Sequence, residues 1–397
     1  MPAKIACFLW ICVVLVMSCS APKSEDKEDN QEKPLTDEEL KARSKVLADQ
    51  FIIVDGHIDL PDLLKEKKYK AGIDSPDTII STGKGEFDYT RAKQGGLDAP
   101  FMSIYIPVEY QAKRDKGKAL ADSLINTVVS ITKALPDKFA LANTPADIEA
   151  NTKAGKISFP MGMENGAPIG NDLSNLKYFF DRGIRYITLT HNKDNQICGS
   201  SRDIENADNG LTSYGRKVVD EMNRLGIIVD ISHVDDSTFY QVMEMSKAPA
   251  IASHSSCRKF SPKAMRDMTD DMIKKLGEKD GVIMINFFTM FLDSTAMRYG
   301  GEFDSEHPNP TNIETVVNHI DNVVKIAGID HVGIGSDFDG VMGSLPVGLE
   351  DVSKYPDLIY ALMKRGYSED DIEKICYKNS FRVWNKVIEV SKQLQGK

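Results

Sequence analysis

From Phe51 onward the chain alternates short, almost unbroken apolar runs with amphipathic stretches, and it does so eight times. The runs are FIIVDGHIDL from Phe51, APFMSIYIP from Ala99, ISFPMGMENG from Ile157 and IRYITLTHN from Ile184, followed by IIVDISHV from Ile227, APAIASHSS from Ala248, GVIMINFF from Gly281 and HVGIGSDFDG from His331. Runs that are apolar throughout, and not only at every second residue, are strands buried on both faces, as in parallel sheets. Helical patterns fall between them at 172–182, 211–225, 236–247 and 311–327. The first, second and fourth stop at Gly183, Gly226 and Gly328, residues suited to a helix C-terminus. Val218, Val219, Met222 and Leu225 share one face of the second pattern. Eight β–α repeats in succession predict an α/β fold, a (β/α)8 TIM barrel; a doubly wound open sheet is the runner-up. The tail from 353 to 395 holds more helix than a barrel needs, and these extra C-terminal helices are expected to cap it.

A length of 397 residues fits one such barrel with additions. With 59 acidic against 49 basic residues the net charge is −10, which argues against a nucleic-acid partner. The first 35 residues read differently from the rest. Lys4 precedes an uncharged apolar run, 5–17, that suits the core of a signal peptide and is shorter than the roughly 20 residues of a membrane-spanning helix. It ends in Val16-Met17-Ser18-Cys19, a small residue before a Cys, which resembles a bacterial lipobox. The resemblance implies cleavage before Cys19 and acylation of its thiol, which would anchor the protein stably to a membrane. The alternatives are an ordinary signal peptide with an incidental Cys, or an uncleaved anchor. The lipoprotein reading is preferred because the next stretch, SAPKSEDKEDNQEK, has no large apolar residue and suits a tether. The expected organisation is a signal peptide over 1–18, a lipidated tether over 19–35 and one barrel domain over 36–397. The product would be exported and lipid-anchored to a bacterial membrane, on its periplasmic or cell-surface face. A homodimer is compatible with this organisation. Beyond the leader, Cys198, Cys257 and Cys376 are too few for a disulfide framework.

In a (β/α)8 barrel the chemistry stands at the C-terminal ends of the strands. Six of the eight predicted ends carry an ionisable residue. The first ends in His57-Ile58-Asp59, two side chains on the same side of an extended backbone. The third ends at Glu164, the fourth at His191, the fifth at His233, the sixth at His254, and the eighth carries Asp337 and Asp339. Taken singly, each has an ordinary structural explanation. Together they do not, because four of the seven histidines fall on one predicted face. His307, His319 and His331 stand apart and read as loop, helix-surface and strand-start residues. Three histidines with two or three carboxylates suit two Zn2+ ions sharing a carboxylate, an arrangement that hydrolyses amides, esters or phosphates.

The motifs DGHIDLP (55–61), MGMENG (161–166), LTHN (189–192), DISHV (230–234), SHSS (253–256) and GIGSDFDG (333–340) resemble, as an ordered set, the membrane (renal) dipeptidase family. The resemblance implies a binuclear-zinc barrel that cleaves dipeptides and tolerates D-configured or unusual C-terminal residues. It implies that His57 and Asp59 hold one zinc, that His233 and His254 hold the other, and that Glu164 bridges them. His191 would polarise the scissile carbonyl or bind its developing oxyanion. Asp337 would carry the proton of the attacking water to the leaving amine. An Arg that binds the substrate carboxylate falls on Arg266 by local pattern, with Arg258 as the alternative. Ile58 stands where the family often has a polar residue. Two further readings remain: the same site acting on other amides or lactones, and a non-catalytic peptide-binding lipoprotein. The presence of His191 and Asp337 beside the whole ligand set favours an enzyme.

Overall fold

A computed structural model describes residues 35–66, 79–81, 83–112, 114–203 and 209–396. Cys19 and the expected leader and tether up to residue 34 lie outside the described residues. The strands are β1 (Ile53–Ile58), β2 (Leu97–Tyr105), β3 (Phe139–Leu141), β4 (Ile157–Phe159), β5 (Met161–Glu164), β6 (Ile184–Thr188), β7 (Ile228–Asp230), β8 (Ile251–Ser255), β9 (Val282–Ile285) and β10 (Val332–Ile334). Eight of them close a parallel barrel in the order β1-β10-β9-β8-β7-β6-β5-β2, and the open-sheet alternative falls away. The run from Ile157, read as one strand, is two. Pro160 cannot donate to a ladder and separates them; β4 pairs with β3 in a small side sheet, while β5 enters the barrel.

Alternation along the strands sorts their side chains into two cores. Ile53, Val229, Ile283 and Ile285 join the cluster that packs strands against the surrounding helices. Their neighbours Val54, Ile228, Val282 and Met284 join Ala99, Phe101 and Tyr186 inside the barrel. The last helix, Asn379–Leu394, adds Trp384, Val387 and Val390 to that inner cluster, with the Trp384 ring 5.3 Å from that of Phe101. It therefore closes the N-terminal mouth, which gives the extra C-terminal helices their place.

The helices between the strands begin and end on residues suited to those tasks. Thr212 caps Ser213–Leu225 by accepting from the Gly215 N–H, and Gly226 ends it in the left-handed region at φ 84°. Asp235, Thr269 and Asn312 cap the helices that follow β7, β8 and β9 in the same way. The connection from β7 to its helix is short, Asp230 to Asp236, whereas long loops follow β6, β8 and β9 at the same end and build the rim of the mouth. Among the described residues, no helix is long and apolar enough to cross a membrane. Cys198, Cys257 and Cys376 are all free and buried.

Candidate metal centre

The strand register brings the predicted site residues to one level. Tyr105 pairs with Glu164, Glu164 with Thr188, and Thr188 with Asp230, so β2, β5, β6 and β7 end together. His57, Asp59, Glu164, His191, His233, His254 and Asp337 gather at this C-terminal mouth. Their ligand atoms form three overlapping groups that could hold a cation: His57, Asp59 and Glu164; Glu164, His233 and His254; and His57, His254 and Asp337.

Glu164 stands between two of these groups and offers each a different oxygen. Its Oε2 lies 3.5 Å from Nε2 of His57, whereas its Oε1 lies 3.0 Å from Nε2 of His233 and 3.3 Å from Nε2 of His254. Asp59 Oδ2 is 3.3 Å from Nε2 of His57. His191 reaches the same Glu164 Oε1 at 3.6 Å, with its ring edge-on to Tyr105.

Donor accounting fixes the tautomers of two of the imidazoles. Tyr186 donates its only hydroxyl proton to the Gly56 carbonyl, so the 2.8 Å contact between Tyr186 and His57 needs the proton on Nδ1 of His57. Ser253 donates to Asp230, so its 2.7 Å contact with His254 needs the proton on Nδ1 of His254. With Nδ1 protonated, the Nε2 of each ring in its neutral form has a lone pair and points it into the site. The Nε2 atoms of His233 and His254 approach to 3.0 Å, and both lie within 3.3 Å of Glu164 Oε1, close enough for all three to share one cation. Nε2 of His57 and Oδ1 of Asp59 are buried without a hydrogen-bond partner. This donor set fits metal ions.

The histidines divide electrostatically. Burial works against charge on His57, but Tyr186, Asp59 and Glu164 outweigh it and hold this imidazole well above its usual range, a setting that favours a cation at its Nε2. Burial first, then Arg266 and His191, hold His233 well below the usual imidazole range. Burial first, then His57 and Arg266, do the same for His254. Neutral imidazole is the form that ligates. His191 is lowered chiefly by burial; Glu164 opposes this, and the positive Arg266 and Arg202 add to it. Burial pushes the Asp337 carboxyl up to about 7, with His57 opposing and the carboxylates of Asp59 and Glu164 reinforcing. Asn286 donates to Asp337 Oδ2 at 2.8 Å and fixes its plane.

The backbone is bent to make the site. Asn165 (φ 83°), His233 (φ 69°), Asp337 (φ 67°) and Asp339 (φ 65°) all adopt left-handed conformations just after strand ends. Such a conformation costs a non-glycine residue about 1–2 kcal/mol, and such strain gathers at functional sites. Gly162 makes room for the group that orients His57: a Cβ there would lie 1.9 Å from the Tyr186 ring.

The two Arg candidates separate. Arg258 gives both terminal nitrogens to Asp236, at 2.8 and 2.6 Å, and its Nε to the Asp267 carbonyl. Arg266 is buried beside the site, donating to Ser255 Oγ at 2.6 Å and to the His254 carbonyl at 2.7 Å, with Nε unpartnered. His319, expected on a helix surface, is buried. Its Nδ1 accepts from the Cys257 N–H and its Nε2 contacts the Leu292 carbonyl, so it ties two loops together. In sequence it lies in an amphipathic helix with polar neighbours, the pattern of an outward-facing residue.

Sequence reasoning missed Tyr105, Tyr186, Ser253, Asn286, Asp230 and Asp55. Tyr105 and the segment holding Asn286 sit at the second and seventh strand ends, the two left blank. Asp55 accepts from the His57 and Ser336 N–H groups and from the Tyr355 hydroxyl. Asp230 accepts from Thr188, Ser232 and Ser253. Both carboxylates lie within motifs already singled out, and their burial inside an apolar run was the available signal.

A parallel barrel whose C-terminal mouth gathers imidazoles about a shared carboxylate is the architecture of a metallohydrolase. Residues 41–397 match the membrane dipeptidase family (peptidase family M19). An uncharacterized dipeptidase of Schizosaccharomyces pombe is 35% identical over 348 residues, 84% of this chain and 80% of that protein. A metallopeptidase of Rhodobacter sphaeroides, solved with a phosphinate mimic of the dipeptide L-Ala-D-Ala, is 28% identical with a TM-score of 0.74, covering 85% of this chain and 99% of its own. The probable dipeptidase PvdM of Pseudomonas aeruginosa shares the fold at a TM-score of 0.78 and 24% identity, over 89% of this chain and 99% of its own. The chain belongs to the membrane dipeptidase family and is a metallo-dipeptidase, a hydrolase of peptide bonds.

Proposed function

We propose that this chain is an exported, lipid-anchored dipeptidase that works with two zinc ions. His57 and Asp59 would hold one, His233 and His254 the other, and Glu164 both. The observation that carries this reading is Glu164, whose two oxygens face two separate sets of ligands. Bound zinc would supply a Lewis acid for the scissile carbonyl and lower the pKa of the attacking water.

The chain's own residues do the rest. Asp337, set in plane by Asn286, takes the water's proton and hands it to the leaving amine. Neutral His191 offers an N–H to the carbonyl oxygen as negative charge develops on it. Arg266 anchors the substrate's C-terminal carboxylate. Its guanidinium has five N–H donors, so two bonds to the protein leave some for a ligand. Arg258, committed to Asp236, has no such freedom. Acceptance of a D-configured C-terminal residue is supported by the L-Ala-D-Ala mimic bound to the Rhodobacter sphaeroides relative.

Hydrolysis of a panel of L-L and L-D dipeptides, their C-terminal amides and matched tripeptides tests this reading. Free dipeptides should be cleaved and the amides poorly. Arg266→Ala should raise KM for the free acids without changing metal content. An amide cleaved as well as its acid would contradict the carboxylate anchor and reopen the substrate class. Anchoring rests on the lipobox-like Ser18-Cys19 after an apolar run. Cys19→Ser should release the protein from membranes or block its maturation, and unchanged partition into a detergent phase would contradict acylation at Cys19.

A further inference from the structure

Arg202 stands beside the centre and plays no part in the scheme above. Its stretch of chain is pinned to two of the site loops. Ser200 Oγ donates to the His191 carbonyl, Ser200 bridges to Val234, and both the N–H and the hydroxyl of Ser201 donate to the His233 carbonyl. The Arg202 N–H is itself held by Ser200 Oγ at 3.2 Å. The residue is therefore presented at a fixed place on the rim.

Its guanidinium carbon lies 5.5 Å from the centre of the Phe291 ring, and that of Arg266 lies 5.6 Å from the same ring. Two guanidinium groups thus share one aromatic neighbour at the mouth. Arg266 is buried and tied to the protein, whereas the Arg202 side chain has no hydrogen-bond or ion-pair partner among the described residues. The opposite charges that act on it most are Asp337 and Asp267, and neither is within ion-pair distance. Elsewhere in this protein arginines near a carboxylate use it: Arg43 with Glu369, Arg91 with Asp88, Arg258 with Asp236. A rigidly based, partnerless guanidinium next to the one assigned to a carboxylate is suited to a second anion on the same ligand.

We propose that Arg202 is a specificity-determining residue that reads a second carboxylate on the substrate, so that the favoured dipeptides carry an acidic C-terminal residue. This rests on the reading that Arg266 takes the α-carboxylate. The side-chain carboxylate of a C-terminal Asp or Glu is joined by one or two methylenes to the carbon that carries that group, and the two guanidinium groups that would receive the pair both border the Phe291 ring. The contact is charge-assisted and planar, which Arg makes bidentately and Lys does not.

The test compares kcat/KM of the zinc-loaded enzyme on L-Ala-L-Glu and L-Ala-L-Ala, in the wild type, R202M and R202E. The wild type should favour the acidic substrate, and R202M should lower the acidic-to-neutral ratio by about 10–100-fold, mainly through KM. R202E should reverse the preference, favouring L-Ala-L-Lys over L-Ala-L-Glu, which a merely structural role would not produce. A wild type without acidic preference, or a ratio unchanged in R202M, overturns the assignment. Equal cleavage of L-Ala-L-Glu and its α-amide by the wild type would instead overturn the Arg266 anchor, a failure distinct from that of Arg202.

Discussion

At the N-terminal mouth of the barrel, Trp384 and Val387 close over Val54, Phe101 and Ile228, and every one of these side chains is almost fully buried. Of these only Trp384 has a polar side-chain atom, an indole N–H left without a partner; at the C-terminal mouth His57, Asp59, His191 and His233 are also buried, and each of the four keeps such an atom. Strain is divided the same way, since four of the non-glycine residues at positive φ follow strand ends at the C-terminal mouth. One end gains stability from apolar packing. The other holds polar groups and bent backbone at a cost, and bound cations would offset it. Tyr186 belongs to both: its ring packs with Phe101 in the inner core and its hydroxyl holds His57.

Substitutions can break this division. Glu164→Ala should have the largest effect: activity lost and both metal positions emptied, because the bridging group is gone. Circular dichroism should still report a folded barrel, and a global unfolding of the variant would show that the polar end also carries the fold. Asp337→Asn should keep the metals and lower kcat by about 10²–10⁴-fold, the scale of lost general acid–base help. Steady-state kinetics beside metal analysis checks this, and near wild-type turnover would move the role, first to Asp339.

Trp384→Ala should do the reverse. Removing a buried Trp costs about 3–5 kcal/mol of stability, read as a lower Tm, while kcat below that temperature and zinc content stay as they were. A loss of zinc in this variant would couple the two ends more tightly than their packing implies. Tyr186→Phe sharpens the boundary. It keeps the ring in the core and removes only the hydroxyl that fixes the His57 tautomer, so Tm should barely move while metal affinity falls about 10–100-fold. Competition with a chelator measures it.

The two ends were also unequally legible in the sequence. Apolar runs revealed all eight barrel strands, and His57, Asp59, Glu164, His191, His233, His254 and Asp337 could be placed at their ends because an ionisable group after a buried run stands out. The supports did not stand out. Tyr186 lies in the middle of β6, where an aromatic reads as core, which it also is. Asn286 is uncharged and follows an apolar run. Asp55 and Asp230 sit near residues that drew attention first. The Ile157 run reads as one strand because its apolar character continues across Pro160, and only pairing with Phe139–Leu141 shows the break. His319 shows the opposite limit: a buried histidine in an amphipathic helix has the same local pattern as an exposed one. Left-handed backbone at His233 and Asp337 leaves only a weak mark in residue type, since His and Asp adopt it more readily than most residues but are usually found elsewhere.

The claim on which the rest depends is that Glu164 serves two cations at once. The most direct measurement is the zinc content per chain of the purified wild type, titrated against activity from the metal-free protein. The account predicts full activity at two zinc ions per chain, with His57 and Asp59 on one side of Glu164 and His233 and His254 on the other. Full activity at a single zinc per chain, with no second ion bound, would contradict it.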